Sequence, residues 1–265
     1  MTDVDVSVLT AYVAPKKSGL RHWWSSYLTM MKFEILSLRT FLVAALVVQI
    51  LMGAGMGIMY GFFLGDIPDA GRTFLVSGIP ALALFPLGFV IVPSIVSNHR
   101  FEETYDYIWS LPAPRIASAL GSFTVFTVLG LPGTAVALVV SALVFGVPLS
   151  PSLAVIPAVL ISASIATSVG YAIGHGVKNP RLVNIFTNLL VFLVLMFSPI
   201  VVPIEQFPGW FASFHRVLPF WHMANVLRAS LTDGLVTNVT ASYLVLLGWT
   251  VVSWGVTIRV IRRRD

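Results

Sequence analysis

Long apolar runs separated by short polar stretches set the organisation of this chain. A bilayer core about 30 Å thick takes about 20 predominantly apolar helical residues per crossing. Six segments meet that requirement, at residues 41–63, 74–96, 116–145, 151–173, 182–202 and 242–260. The third is long enough to tilt or to reach past the bilayer. The pattern therefore predicts an all-α integral membrane fold of six transmembrane helices. The first run begins near residue 40, too far in for an ordinary cleavable leader, so the first span is expected to remain in the mature protein.

A different period precedes it. Between Arg21 and Arg39, the residues Trp24, Leu28, Met31, Ile35 and Leu38 recur at spacings of four and three, which places them on one helical face. Ser25, Ser26, Thr29, Lys32 and Ser37 lie off that stripe. With Trp23 and Trp24 at one end, this segment is expected to be an interfacial helix resting on the membrane. A helix packed on a partner's soluble face carries the same pattern. Residues 1–20 show no sustained period and are expected to form a flexible N-terminal segment, leaving 21–265 as a single transmembrane domain.

Composition agrees: 57% of residues are hydrophobic and 10% charged, with a mean hydropathy of +0.90, where soluble domains carry about 25% charged residues. Charge then orients the helices. Lys16, Lys17, Arg21, Lys32, Arg39, Arg100, Arg115, Lys178, Arg181, Arg259, Arg262, Arg263 and Arg264 fall on the side of the termini, and of the 16 Lys and Arg only Arg72, Arg216 and Arg228 fall on the other. Cytoplasmic flanks carry the basic excess, so both termini are expected in the cytoplasm, in a multi-pass protein of the cell (plasma) membrane. This topology accounts for the net charge of +5, and no basic block with interleaved aromatics marks a nucleic-acid surface. Cysteine is absent, which excludes disulfides and thiolate chemistry.

Small residues mark close helix approach: Gly53, Gly57 and Gly61 in the first span, Gly170 and Gly174 in the fourth. Asn184 and Asn188 share a face of the fifth span, with Thr187 beside them, and either line a path or bond another helix.

Two connections carry most of the remaining information. Between spans two and three, NHRFEETYDYIWSLPAPR from Asn98 to Arg115 is too polar to cross. Phe101, Tyr105 and Ile108 follow a helical spacing, Glu102, Glu103 and Asp106 supply acidic groups, and Pro112 and Pro114 end the helix. Between spans five and six, the segment from Ser198 to Arg228 is divided by Pro208 and Pro219 into pieces shorter than a crossing. Phe207, Trp210, Phe211, Phe214, Phe220 and Trp221 give it an interfacial aromatic load, which suits short outer-leaflet helices forming either a gate or a structural cap.

The first connection resembles that of ABC-2 type transporter permeases, in which an E-R-E-x-G-T-L-E pattern precedes apolar residues and a proline. Arg100 matches the arginine, Thr104 the threonine, Asp106 the second acid, Ile108 and Trp109 the apolar pair, and Pro112 the proline. His99, Phe101 and Glu103 depart from the pattern. The second connection is similar to the family's run after span five, with Ser198, Pro203, Pro208, Trp210, Pro219 and Arg228 in order and Pro199 where glycine is usual. The resemblance extends from about residue 21 to the end of the sequence. It implies that Arg100, Glu102, Glu103, Thr104, Asp106, Ile108 and Trp109 form a coupling helix, and that Pro203, Pro208, Trp210, Pro219 and Arg228 belong to an extracellular gate.

The chain has no GxxxxGK[ST] loop, since Lys17-Ser18 lacks the preceding glycines. An ATP-driven exporter built on it therefore needs separate P-loop ATPase subunits, two by the family's architecture, holding ATP and Mg, while this chain binds no cofactor. A second permease copy or a related permease, and membrane lipid, complete the expected partners. Two other function classes fit the sequence less well. A secondary transporter usually keeps ionisable residues inside its spans, which are nearly absent here. An intramembrane enzyme is disfavoured because Glu102-Glu103, which resembles the EExxxR start of prenyl-protein proteases, has Tyr107 where arginine is required, and because His215 and His222 lack an HExxH setting. The substrate is left open among drug, lipid-linked glycan and peptide.

Overall fold

Apolar helices long enough to cross a bilayer must satisfy their own backbone, and the chain does this six times. The computed structural model describes residues 19–64, 67–102, 107–108, 110 and 113–262. Among these, helix α1 is Leu20–Ser37, α2 is Arg39–Leu64, α3 is Asp69–Leu82 and α4 is Val92–Phe101. They are followed by α5 at Arg115–Phe145, α6 at Val155–Gly176, α7 at Pro180–Phe197, α8 at Gly209–His215, α9 at Pro219–Leu231 and α10 at Val239–Arg262. Six stretches have the length and composition of a crossing: Arg39–Phe63, Asp69–His99, Arg115–Phe145, Val155–Gly176, Pro180–Phe197 and Val239–Arg262. No described residue is in a strand. Connectivity places residues 146–154 and 198–238 at one end of the bundle, here the far end, and residues 19 and 262 at the other, the near end.

Helix ends follow local chemistry. Pro180 occupies the first turn of α7, where its missing N–H costs nothing, and the Asn179 side chain accepts from the Arg181 backbone N–H at 2.9 Å. The fifth span stops at Phe197, five residues short of the expected 202, because Ser198 turns extended and Pro199 follows. α5 ends on Gly146 at φ 62°, a left-handed cap that donates its N–H to the Ala142 carbonyl.

The second span is the centre of the bundle. In its most apolar stretch 83% of residues are buried, against 17% in the fifth span and 22% in the sixth. It is also broken. Pro80 lies inside α3, turns at Ala83 and Leu84 interrupt the helix, and a π-helical turn at Leu87–Ile91 follows Pro86 before α4 resumes. Gln49 of α2, fully buried, donates Nε2 to the Ala83 carbonyl at 3.1 Å, supplying a donor at the interruption.

Glycines set the helix spacing. A Cβ at Gly53 would fall 2.3 Å from the Gly133 carbonyl oxygen, and one at Gly170 would fall 1.9 Å from the Gly88 carbonyl oxygen. The expected small-residue contacts therefore join α2 to α5, and α6 to the π-helical turn of span two.

The interfacial stripe of α1 is correct in composition and incomplete in consequence. Trp24, Leu28 and Ile35 are exposed, as a membrane-resting face requires, while Ser26, Met30 and Glu34 on another face are buried against α5. Tyr27 donates its hydroxyl to Thr124 Oγ1 at 2.9 Å across that contact. Small and polar side chains let the two backbones approach closely, and polar partners then replace water.

Gly170→Val places two methyl groups where the Gly88 carbonyl stands, so it should cost at least about 1–3 kcal/mol. Gly248→Val, at a position with nothing within 4 Å of a Cβ, serves as the control. The check is thermal denaturation of the purified protein in detergent, with a marked loss for Gly170→Val and little change for Gly248→Val.

Candidate functional site

The two groups of expected site residues lie at opposite ends of the bundle. At the near end, α4 carries the second span past Arg100 and closes at Phe101, where the Glu102 N–H donates to the Asn98 carbonyl at 2.9 Å. Glu102 is exposed. Glu103, Thr104, Asp106, Trp109 and Pro112 lie outside the described residues. Asn98 to Phe101 continue the spanning helix. Phe101 is 76% exposed and Ile108 is buried, and Tyr105, expected on one helical face with them, lies outside the described residues. Ile108 inserts between α1, α5 and α10, near Met30, Arg115 and Ile261, and Tyr107 meets the Phe33 ring at 6.5 Å between centroids.

At the far end, the segment from Pro203 to Arg228 forms two helices of different character. Pro203 precedes a short 3-10 turn at Ile204–Gln206, Pro208 caps α8, and Pro219 opens α9. Each proline sits where a backbone donor is not needed. α8 is peripheral: Trp210 is 75% exposed and Phe214 is 58% exposed, as expected for aromatic side chains at an interface. α9 belongs to the core. Its Phe220 packs edge-on against Phe85 and Phe89, at 5.8 and 5.5 Å between ring centroids, beside the break in span two.

Arg228 fixes α9 in place. Its side chain is fully buried, and its guanidinium lies 3.6 Å over the Phe74 ring. Nε donates to the Phe74 carbonyl and Nη1 to Asn225 Oδ1, each at 3.3 Å, and Nη2 donates to the Ile200 carbonyl. Gly78 makes room, since a Cβ there would fall 2.6 Å from Nη2. One side chain thus ties α9 to α3 and to the turn that ends the fifth span. Other bonds complete the attachment. Ser150 and Ser152 donate backbone N–H groups to the Leu231 and Ser230 carbonyls, and Trp249 Nε1 donates to the Val217 carbonyl at 2.8 Å. His222 Nε2 must donate to the Arg216 carbonyl at 2.8 Å, because a carbonyl only accepts, which leaves Nδ1 for Ser242 Oγ at 2.9 Å.

Asn184 and Asn188 are exposed on α7. Asn184 Oδ1 accepts from Ser94 Oγ at 2.6 Å, and Asn188 Nδ2 donates to the Asn184 carbonyl at 2.7 Å. Asn184 therefore bridges spans two and five, and the buried Thr187 bonds within its own helix to the Val183 carbonyl. Sequence reasoning missed Glu34, Gln49 and Gly78. Glu34 was findable as a lone acid four and eight residues from Met30 and Ser26. Gly78 carried no signal separable from the other glycines. Among the described residues, no group of three or more His, Cys, Asp or Glu could hold a metal ion.

Six helices of crossing length around a broken central span define a multi-pass membrane protein. The sequence profile of ABC-2 type transporters matches residues 25–232, and the chain belongs to that family. Among its relatives, Nodulation protein J of Rhizobium meliloti (strain 1021) is 24% identical over 244 residues, covering 91% of this chain and 92% of that protein. ABC transporter G family member 20 of Dictyostelium discoideum is 23% identical over 205 residues, which is 76% of this chain and 27% of the relative's length.

Replacing Arg228 with Met should leave the Ile200 carbonyl without its donor and release α9 from α3, and cost about 2–4 kcal/mol. Gly78→Ala should act in the same direction by displacing Nη2, at about 1–3 kcal/mol, while Trp210→Ala should change stability little. Thermal denaturation in detergent reads all three, and a stable Arg228→Met variant would remove the anchoring role.

Proposed function

We propose that this chain is the permease subunit of an ATP-driven exporter, forming the substrate path and coupled to two separate P-loop ATPase subunits that hold ATP and Mg. The observation that carries this reading is the family match over residues 25–232 on a fold of six crossing-length helices. The sequence has no GxxxxGK[ST] loop, so on this reading ATP hydrolysis belongs to a partner chain. The match to 27% of the Dictyostelium relative supports the same division, with this chain corresponding to one part of a longer ABC transporter.

Charge asymmetry orients the protein with its near end in the cytoplasm. The connection after α4 is then the contact for the ATPase, with Arg100, Glu102, Glu103, Thr104, Asp106, Ile108 and Trp109 as its residues. The buried seat of Ile108 beside α1 and α5 supports this, because a segment rooted in the bundle can pass force to it. At the outer leaflet, α9 is the fixed base of the cap through Arg228 and Pro219. α8, with Pro203, Pro208 and Trp210, is its exposed lip and the element placed to gate the path.

The exposed face of the fifth span supports a second permease, either a copy or a related chain. Asn184 and Asn188 present amides at membrane depth, and polar groups there require protein or a water-filled cavity against them.

Two outcomes are expected. Reporter fusions should place residues 106 and 178 and the C-terminus in the cytoplasm and residues 68 and 213 outside; residue 213 inside would overturn the orientation. Replacing Glu102, Glu103 and Asp106 together with Ala should reduce co-purification with the ATPase, or substrate-stimulated ATP hydrolysis, severalfold while membrane insertion stays normal. Unchanged association and unchanged transport would overturn the coupling assignment.

A further inference from the structure

Glu34 is the one acidic side chain of α1, outside the six spans, and it is buried to 1% exposure where α1 meets α5. Ser122 donates Oγ to Glu34 Oε2 at 2.9 Å, and Oε1 has no hydrogen-bond partner. Glu34 is one of the residues lining a small cavity of about 20 Å³, room for one water molecule. The titratable and charged groups around that cavity are His99 from α4, Arg115 from α5, and Tyr171 and His175 from α6; α10 contributes only the apolar Ile261. His175 Nδ1 donates to the Tyr171 carbonyl at 2.8 Å, and Arg115 Nη1 to the Ile261 carbonyl at 3.4 Å, so these cations and rings are engaged with their own helices' neighbours.

We propose that this cavity is a proton-binding site, in which protonation of Glu34 locks α1 onto the near end of the bundle and ionisation loosens it. An ionised carboxylate offers about four acceptor sites, and this one has a single donor. The ion is therefore better hydrated than packed. The neutral acid loses that penalty. The proton comes from solvent at the near end, and no other bond changes.

The sign follows from burial, which raises the Glu34 pKa from 4.5 to about 7, with the Ser122 hydrogen bond opposing. Locking is complete at acid pH and is lost as pH rises toward about 7. Across that interval each pH unit shifts the ratio of locked to loosened forms up to about tenfold. The proposal does not depend on the identity of the ATPase or of the substrate.

The native chain has no cysteine, so a single introduced thiol reports alone. Met30→Cys, on the buried face of α1, is labelled by maleimide in membranes from pH 5 to 9, relative to Ser25→Cys on the exposed face, which cancels thiol ionisation. The relative rate should climb with pH and level off above about 7, and Glu34→Gln should flatten it. A flat profile in the native background, or an unchanged climb with Glu34→Gln, overturns the proposal. Should Met30→Cys itself release α1, the infrared carboxyl band of the otherwise native protein decides. A band that titrates near pH 7, disappears with Glu34→Gln and shifts to higher pH with Ser122→Ala supports the site. Glu34 ionised throughout the range from pH 5 upward refutes it.

Discussion

The far end of this protein depends on one buried guanidinium. Arg228 is cationic wherever it sits, and it is held without an ion pair among the described residues, by two backbone carbonyls, the Asn225 amide oxygen and the face of Phe74. Such a cation is costly to bury, and what offsets the cost is the number of dipoles aimed at it. The bonds run to three separate pieces of chain, so the position of α9 is set by the same contacts that satisfy the charge. The turn after Phe197 gains from the arrangement too, because the Ile200 carbonyl would otherwise be a buried acceptor at the end of a helix.

Anchoring α9 constrains what can move. α9 packs on span two beside the point where that span is interrupted, through Phe85, Phe89 and Phe220. The interruption divides span two into a far half, α3, joined to the cap by Arg228, and a near half, α4, leading into the next connection. Gly88 and Gly170 bring α6 against the π-helical turn itself. A straight helix would transmit any displacement along its whole length. A helix with prolines at 80, 86 and 93 and a π-helical turn between them has a place to bend. The two ends of the bundle are therefore linked through the span that is both the most buried and the least regular.

The six helices were legible in the sequence because membrane length and apolarity leave few alternatives, and their limits agree to within a few residues. Glycine spacing correctly marked the close contacts, since a missing Cβ has one common use between spans. Proline placement correctly divided the segment from 203 to 228. Less was legible about the sites. The apolar stripe of α1 marked residues that are exposed in the fold, Trp24, Leu28 and Ile35, but not that Glu34, on another face, is buried, because burial of a polar residue depends on what packs over it. The connection after Phe101 shows only that the spanning helix extends to residue 101 and that Ile108 is buried among the described residues. Arg228 matched a family position, yet its anchoring role required seeing Gly78 and Ile200, which are 150 and 28 positions away.

Arg228 and Glu34 meet the same problem, a charge removed from water, in opposite ways. A guanidinium cannot give up its proton within the range proteins use, so the fold must supply oxygens, and it does so from the Phe74 and Ile200 carbonyls and the Asn225 amide. A carboxylate has the second option of becoming neutral, and the fold around Glu34 supplies one hydroxyl and leaves the other oxygen buried without a partner. The first arrangement gives a contact indifferent to pH. The second gives a contact whose strength follows the proton. Their locations differ accordingly: the permanent charge holds α9 to α3 at the far end, and the titratable one sits where α1 packs on α5 at the near end.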